Sequence, residues 1–487
     1  MQVEMNYFLR VQQEAKKCKD KLTEKAAQIL LSLDIPALNK RGIKRATHLY
    51  EIFNQYPPFS LLKNISEKEI FLNNNPLEQA KEGEPLSLYV HTPFCIKKCI
   101  FCCYFTVQGC SKSNKEDYIS ILKKEIKLLL KKRYLQFRKI SSMYWGGGTP
   151  TLLNERQITD LMFYLKDNFE ITPNAEICCE TTPEEAKMRK LECLIKNGFN
   201  RLSIGVQTFD DDLLRLYNRL HTGKEAINAF KMSQKAGFNH INIDLMFGLS
   251  GQTIRMWKRN LEIAEVLRPT NVTTYPFSFV NAFGGLIISK RLKKHLPSEE
   301  ERLLMHAMAI EKFVGNGYIQ ITPYQFISSR RYSFRQQEFK AKNGENYGFG
   351  ASARSFINNV EFRKRPSLLH YYQALEQDKF PVVRGRRLDR KEQMIKFFIG
   401  SLEKTSGINR KEGGVDKTLF QRMFGLSVNE AFKEELTILK NLGLISESDC
   451  YIHFTYLGLL YPTETSLLFY LKKDRDKIAN PKDRTIE

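Results

Sequence analysis

Residues 86–105 read "LSLYVHTPFCIKKCIFCCYF". The first seven are rich in aliphatic, aromatic and β-branched side chains and predict a strand. They lead into a loop carrying four thiols: Cys95, Cys99, Cys102 and Cys103. A strand that feeds straight into a loop of reactive side chains suits a parallel α/β fold, where chemistry gathers at the C-terminal ends of the strands.

Reading outward, the β-type run recurs as "ISSMYWGG", "AEICCET", "RLSIGVQ", "HINIDLMFG" and "NVTTYPFSF". Between these lie charged amphipathic segments, "DYISILKKEIKLLLKK", "ERQITDLMFYLKDN", "PEEAKMRKLECLIKNG", "DDDLLRLYNRL", "GKEAINAFKMSQKAG" and "QTIRMWKRNLEIAEVL", two of them ending at Gly198 and Gly237. Six β–α repeats predict an α/β fold in which a parallel sheet curls into a partial or full (β/α) barrel. The core is placed at 85–290. Residues 1–84 are expected to form an N-terminal helical region. Residues 291–384 complete the barrel and link it onward, and 385–487 form a helical, winged-helix-like domain that serves as a lid or packing module.

The 487 residues are 42% hydrophobic, enough for several domains with a large core. No uncharged apolar run approaches the ~20 residues that span a bilayer, and no signal-type segment opens the chain. A cytoplasmic protein is therefore expected, with no membrane partner. The net charge of +22 raises nucleic acid as a partner. Its distribution argues against one, because the cations alternate with apolar residues along helix faces such as "ILKKEIKLLLKKRYLQFRK". An acidic small molecule fits the charge equally well. Ten cysteines without a secretory signal argue against a disulfide scaffold. Cys18, Cys193 and Cys450 are scattered, and Cys178 and Cys179 point to opposite faces of one strand.

Only Cys95, Cys99 and Cys102 have ligand-like spacing, C-x3-C-x2-C. Three thiolates on a short loop hold three irons of a cubane cluster and leave the fourth iron open to a chelating ligand. Zinc is the alternative, but structural zinc loops pair two close ligands with a distant second pair, and no such pair is present. The spacing favours the cluster.

The runs "YVHTPFCIKKCIFC", "YWGGGTPTLL", "GFNRLSIGVQTFDDDLLRLYNRLHTGKEA" and "INIDLMFGLSGQT" resemble the radical SAM superfamily. Within it they look like the branch of oxygen-independent coproporphyrinogen III oxidase and its relatives. The likeness is strong over residues 86–285 and looser over 286–470. It implies a [4Fe-4S] cluster on Cys95, Cys99 and Cys102, with S-adenosylmethionine on the open iron. Reductive cleavage then yields a 5′-deoxyadenosyl radical that abstracts hydrogen from substrate, with an electron from a donor such as flavodoxin or ferredoxin. By resemblance Tyr89 and Glu180 contact the cofactor, and Gly147, Gly148 and Thr149 lie against its methionyl end. Phe101 packs on the cluster or the adenine. Gln207, Arg219, Asp244 and Ser278 match positions around a second S-adenosylmethionine. Read without the family, Tyr89 is a core strand aromatic, Glu180 a helix cap, and His221 structural.

Three features separate this chain from its templates. Cys102 and Cys103 are adjacent where the coproporphyrinogen enzyme has cysteine, any residue, cysteine. Cys103 is thus the distinguishing candidate, lining the cofactor cavity or acting on substrate. The Tyr-Thr-Ser-Tyr-Pro-Thr-like signature of that enzyme is absent. The region matching the histidine-asparagine motif of the related haem chaperone, "RQQEFKAKNGENYGFGASARSF", has no histidine. The runs "NRLHTGKEA", "TTYPF" and "GFGASARSF" look more like radical SAM C-methyltransferases. The expected substrate is a tetrapyrrole or an aromatic or polyketide natural-product intermediate. C-methylation or alkylation ranks first, porphyrinogen oxidative decarboxylation second and haem transfer third. Arg354, Arg384, Arg386 and Arg387 are candidates for tetrapyrrole carboxylates, a solvated basic surface being the plainer reading.

Overall fold

The computed structural model describes residues 2–40, 43, 56–71, 83–132, 135, 137–277, 292, 294–408 and 412–479. Six strands form its centre: β1 (Pro85–Thr92), β2 (Lys139–Gly147), β3 (Glu170–Thr181), β4 (Arg201–Gln207), β5 (His240–Phe247) and β6 (Asn271–Pro276). Each pairs in parallel with the next. Most of their side chains are buried on both faces, yet polar and apolar residues alternate along β4 and β5, and Ser203, Asn242 and Asp244 on one face hydrogen-bond one another.

Most of the intervening helices start where the sequence supplies side-chain caps, Met188–Lys196 being the exception. Asn154 and Gln157 form a reciprocal capping box at the start of Glu155–Asn168, and Thr222 with Glu225 does so for Gly223–Lys235. Two predicted helices are shorter in the structure. The segment "DDDLLRLYNRL" is helical only over Asp211–Leu216. The chain then turns through Asn218 in the left-handed region (φ 61°), closed by the Arg219 amide donating to Leu214 O at 2.9 Å. That turn sends Arg219 and His221 back toward the barrel. The segment "PEEAKMRKLECLIKNG" opens as a 3-10 turn, Pro183–Glu185, and becomes helical from Met188 to Lys196.

The sheet extends past the six strands on both sides. Asn346–Phe349 runs parallel to β1, and beyond it lie Arg354–Ile357, Val360–Lys364, Val382–Arg387 and Lys63–Asn64, all antiparallel. Beyond β6 lie Gln325–Ile327 and Ile319–Thr322. The thirteen strands form one open sheet, so the barrel is partial. This sheet crosses the sequence positions 84 and 290.

The N-terminal helix Lys21–Ser32 packs on Glu299–Gly315, burying Ala26, Ala27 and Leu30. Near the C-terminus, Val415–Asp416, Tyr451–Phe454 and Ile445–Glu447 make a small antiparallel sheet against Lys417–Phe424 and Lys433–Asn441, a winged-helix-like arrangement. The helix Pro462–Leu467 then returns to the mouth of the barrel. No helix among the described residues is long and apolar enough to cross a membrane.

Candidate active site

One cavity at the C-terminal ends of β1–β6 holds about 1770 Å³ of empty space, its open mouth included. Its walls include Cys95, Cys99, Phe101, Cys102, Cys103, Gly147, Gly148, Thr149, Glu180, Gln207, Arg219 and Asp244. Twelve of the fourteen residues singled out from sequence therefore share one space. Tyr89 stands behind the wall, and Ser278 lies outside the described residues.

The cysteine loop is pinned at both ends. The amides of Gly148 and Thr149 donate to Thr92 O at 2.7 Å and Phe94 O at 2.8 Å, tying the glycine turn after β2 to the loop entrance. A Cβ on Gly148 would stand 2.5 Å from Phe94 O, so no larger residue fits without moving the loop. Gly147 has φ +108°, and a Cβ there would strike the His91 ring at 2.5 Å. At the exit, His91 Nε2 meets Phe105 O at 3.0 Å, while its Nδ1 is 3.1 Å from the Tyr89 hydroxyl. Tyr89 thus holds the histidine that holds the loop, and burial, with the nearby Glu180 charge second, keeps its phenol neutral.

Burial pushes the Cys95 thiol up to about 11 and the Cys102 thiol to about 12. Thr149 Oγ1 is 3.8 Å from Cys95 Sγ, and Arg219 Nη1 donates to Cys99 Sγ at 3.3 Å. Among the described residues, no three Cys, His, Asp or Glu side chains converge on a point that would hold a single metal ion. A single zinc needs its sulfurs at ~2.3 Å from one centre. In a cluster each thiolate takes a separate iron, so the donor set fits the larger group. Cys103 is buried and lines the same cavity as its neighbour. Phe101 leans on Tyr217, ring centroids 5.8 Å apart, and belongs to a small apolar cluster with Leu213, Met246 and Leu249.

Two acids sit on the strand ends. Glu180 accepts from the Tyr144 hydroxyl at 2.8 Å and the Gly147 amide at 3.1 Å, so it faces the cavity and caps no helix. Burial raises it to about 7. Asp244 accepts from Asn242 at 2.7 Å and Ser203 at 3.2 Å, and burial raises it to about 6. Both are set to regain charge when a cation arrives. Gln207 ends β4 with φ 70°, a strained conformation for a residue with a side chain. Arg219 reaches across from its turn to Gly205 O. His221 lies 3.3 Å from Glu184 and 3.2 Å from Val206 O, which makes it a brace for the wall.

The sequence did not point to Tyr144, the partner of Glu180, or to Glu184. It also missed Pro462, Thr463 and Glu464, which line the cavity from the C-terminal region. Tyr144 lies inside the recognised run "YWGGGTPTLL", and Glu184 lies at the start of the helix segment "PEEAKMRKLECLIKNG". The last three have no local signal, because docking of a distant helix puts them there. The basic candidates fall elsewhere. Arg354 pairs with Glu361, Arg386 with Glu392 and Asp474, and Arg387 reaches Glu69 O.

The radical SAM superfamily profile matches residues 89–264. The oxygen-independent coproporphyrinogen III oxidase of Salmonella typhimurium is 30% identical across 80% of this chain and 86% of its own length. The chain belongs to the radical SAM superfamily, in the coproporphyrinogen III oxidase branch. The heme chaperone HemW of Bacillus subtilis is 29% identical over 78% of this chain and 97% of its own. The solved coproporphyrinogen III oxidase of Escherichia coli superposes with a TM-score of 0.74 at 26% identity, covering 86% of this chain and 97% of that one. Membership in the superfamily implies a [4Fe-4S] cluster and S-adenosylmethionine.

Proposed function

We propose that this radical SAM protein is an enzyme acting on a porphyrinogen-type tetrapyrrole, with Cys95, Cys99 and Cys102 as the cluster ligands. The observation that carries the reading is the convergence of those thiols with Glu180 and Asp244 in one cavity at the strand ends. When bound, the cluster and S-adenosylmethionine supply a 5′-deoxyadenosyl radical that removes a hydrogen atom from substrate.

The chain's own residues provide the setting. Gly147 and Gly148 let the backbone approach the methionyl end closely, and Glu180 holds its ammonium. Thr149 steadies the Cys95 sulfur, while Phe101 walls the adenine from water. Cys103 stands beside the reacting centre as a substrate-side thiol. Gln207, Arg219 and Asp244 are proposed to hold a second S-adenosylmethionine, a reading supported by their lining the same cavity as the cysteines. The electron arrives from a small carrier such as flavodoxin or ferredoxin over the cysteine loop, where Ile96 is 52% exposed and Tyr104 51%. Lys97, exposed beside them, favours an acidic carrier.

The comparisons lend C-methylation, the first-ranked expectation from sequence, no support, and the tetrapyrrole reading takes its place. Haem transfer is the second reading, favoured by the likeness to the chaperone and opposed by the histidine-free stretch 335–356. Anaerobic turnover with coproporphyrinogen III separates the three. Release of carbon dioxide with a decarboxylated porphyrinogen is expected. Tight haem binding without carbon dioxide would replace the reading with the chaperone. S-adenosylhomocysteine formed alongside 5′-deoxyadenosine would replace it with alkyl transfer.

A further inference from the structure

Away from the cavity, four cations gather where helix Arg335–Ala341 packs on helix Arg390–Thr405. Lys396, Gly400 and Lys404 are spaced four apart and share one face of the second helix. That face meets the first helix closely. A Cβ on Gly400 would stand 2.8 Å from Ala341 O, and Ser401 Oγ donates to the same oxygen at 3.4 Å. Lys340 is the residue before Ala341. Arg354, at the start of the neighbouring strand, completes the group.

The negative charge present does not match this set. Glu361 is buried, with one oxygen taken by Arg354 and the other by Lys396 Nζ at 2.9 Å. Glu403, the other acid nearby, accepts the Ser466 hydroxyl through Oε1 and attracts the Lys404 ammonium, so two carboxylates face four cations. Lys340 and Lys404 are partly buried, and no hydrogen bond or ion pair reaches either ammonium among the described residues. Arg354 Nη1 is sealed from solvent and makes no hydrogen bond. Burial and the charges of Lys396 and Arg354 lower the Lys340 ammonium to about 8, against the pull of Glu361. Burial and the charges of Lys340 and Lys396 lower Lys404 to about 7. A protein that needed only internal neutrality would place a carboxylate here or leave the position apolar.

We propose that Lys340, Lys404 and Arg354 Nη1, braced by Lys396 and Glu361, form an oxyanion-binding site for a carboxylate or phosphate group. None of these residues lines the central cavity, so the site is separate from the one that holds the cysteines. A bound anion would accept from the guanidinium nitrogen and from both ammoniums, converting mutual repulsion into charge-assisted hydrogen bonds.

Calorimetric titration of the full-length chain at fixed ionic strength tests this, with inorganic phosphate in one arm and succinate in the other. Saturable binding of phosphate alone assigns a phosphate ligand, and of succinate alone a carboxylate ligand. Lys404→Met and Lys340→Met should each weaken that binding by about tenfold or more, while Lys404→Arg, which keeps the charge, should retain it. Failure of both anions to bind saturably would overturn the proposal. So would wild-type affinity in both methionine variants, or equal loss in the arginine and methionine variants at position 404.

Discussion

Glu180 shows how a single side chain can be costly to the fold and useful to the site. Its carboxylate is buried and raised to about 7, against 4.5 ordinarily, by loss of solvent. Below 4.5 it is protonated in both the folded and unfolded chain and contributes no difference. As pH rises from 4.5 to about 7, the unfolded chain loses the proton first, so the cofactor-free fold is progressively penalised. Glu180→Gln should therefore stabilise the cofactor-free protein at pH 8 by about 1–3 kcal/mol and leave it nearly unchanged at pH 4.5. Thermal melts at the two pH values check this. The same variant should bind S-adenosylmethionine more weakly, because the ammonium loses its counter-charge. A destabilised variant at pH 8 would mean that the Gly147 and Tyr144 hydrogen bonds outweigh the buried charge. The cysteines show what sequence alone can support: spacing picks out Cys95, Cys99 and Cys102, and the fold brings all three to one cavity. Cys103, set apart in the sequence by its position next to Cys102, lines the same cavity.

At the scale of elements, the central strands were legible because each is a short β-type run bounded by turn residues. β4 matches its expected limits, Arg201–Gln207, and β5 ends one residue early at Phe247. The short helix Asp211–Leu216 was not, since a continuous apolar rhythm through "LLRLYNRL" hides the left-handed turn at Asn218. The outer strands Arg354–Ile357 and Val360–Lys364 were missed as well, their pairing being a hairpin contact with no helix-strand alternation to announce it. The glycine turn after β2 is the element with the least tolerance. Gly148→Ala forces a methyl against Phe94 O, and the loop it abuts carries Cys95. The expected outcome is an intact fold by circular dichroism with iron and sulfide incorporation reduced by about half or more, as overpacking displaces the loop. Full incorporation would show that the loop accommodates the methyl.

The whole molecule closes its cavity with parts distant in sequence. Strand ends supply the acids, one loop supplies the thiols, and Pro462–Leu467 covers them from the C-terminal region. This long-range closure is why the cavity wall formed by Pro462, Thr463 and Glu464 was the least readable part of the site, while the cysteine loop was the most readable. Substrate class therefore rests on relatives and on turnover, whereas the radical chemistry rests on residues that this chain displays together. The most direct test of that chemistry is anaerobic incubation of the iron–sulfur-reconstituted chain with S-adenosylmethionine and dithionite, measuring 5′-deoxyadenosine. Formation of 5′-deoxyadenosine and methionine in equal amounts, abolished together with the brown absorbance in Cys99→Ala, is the expected result. A reconstituted, brown protein that forms no 5′-deoxyadenosine, or a Cys99→Ala variant that keeps both colour and cleavage, would contradict it.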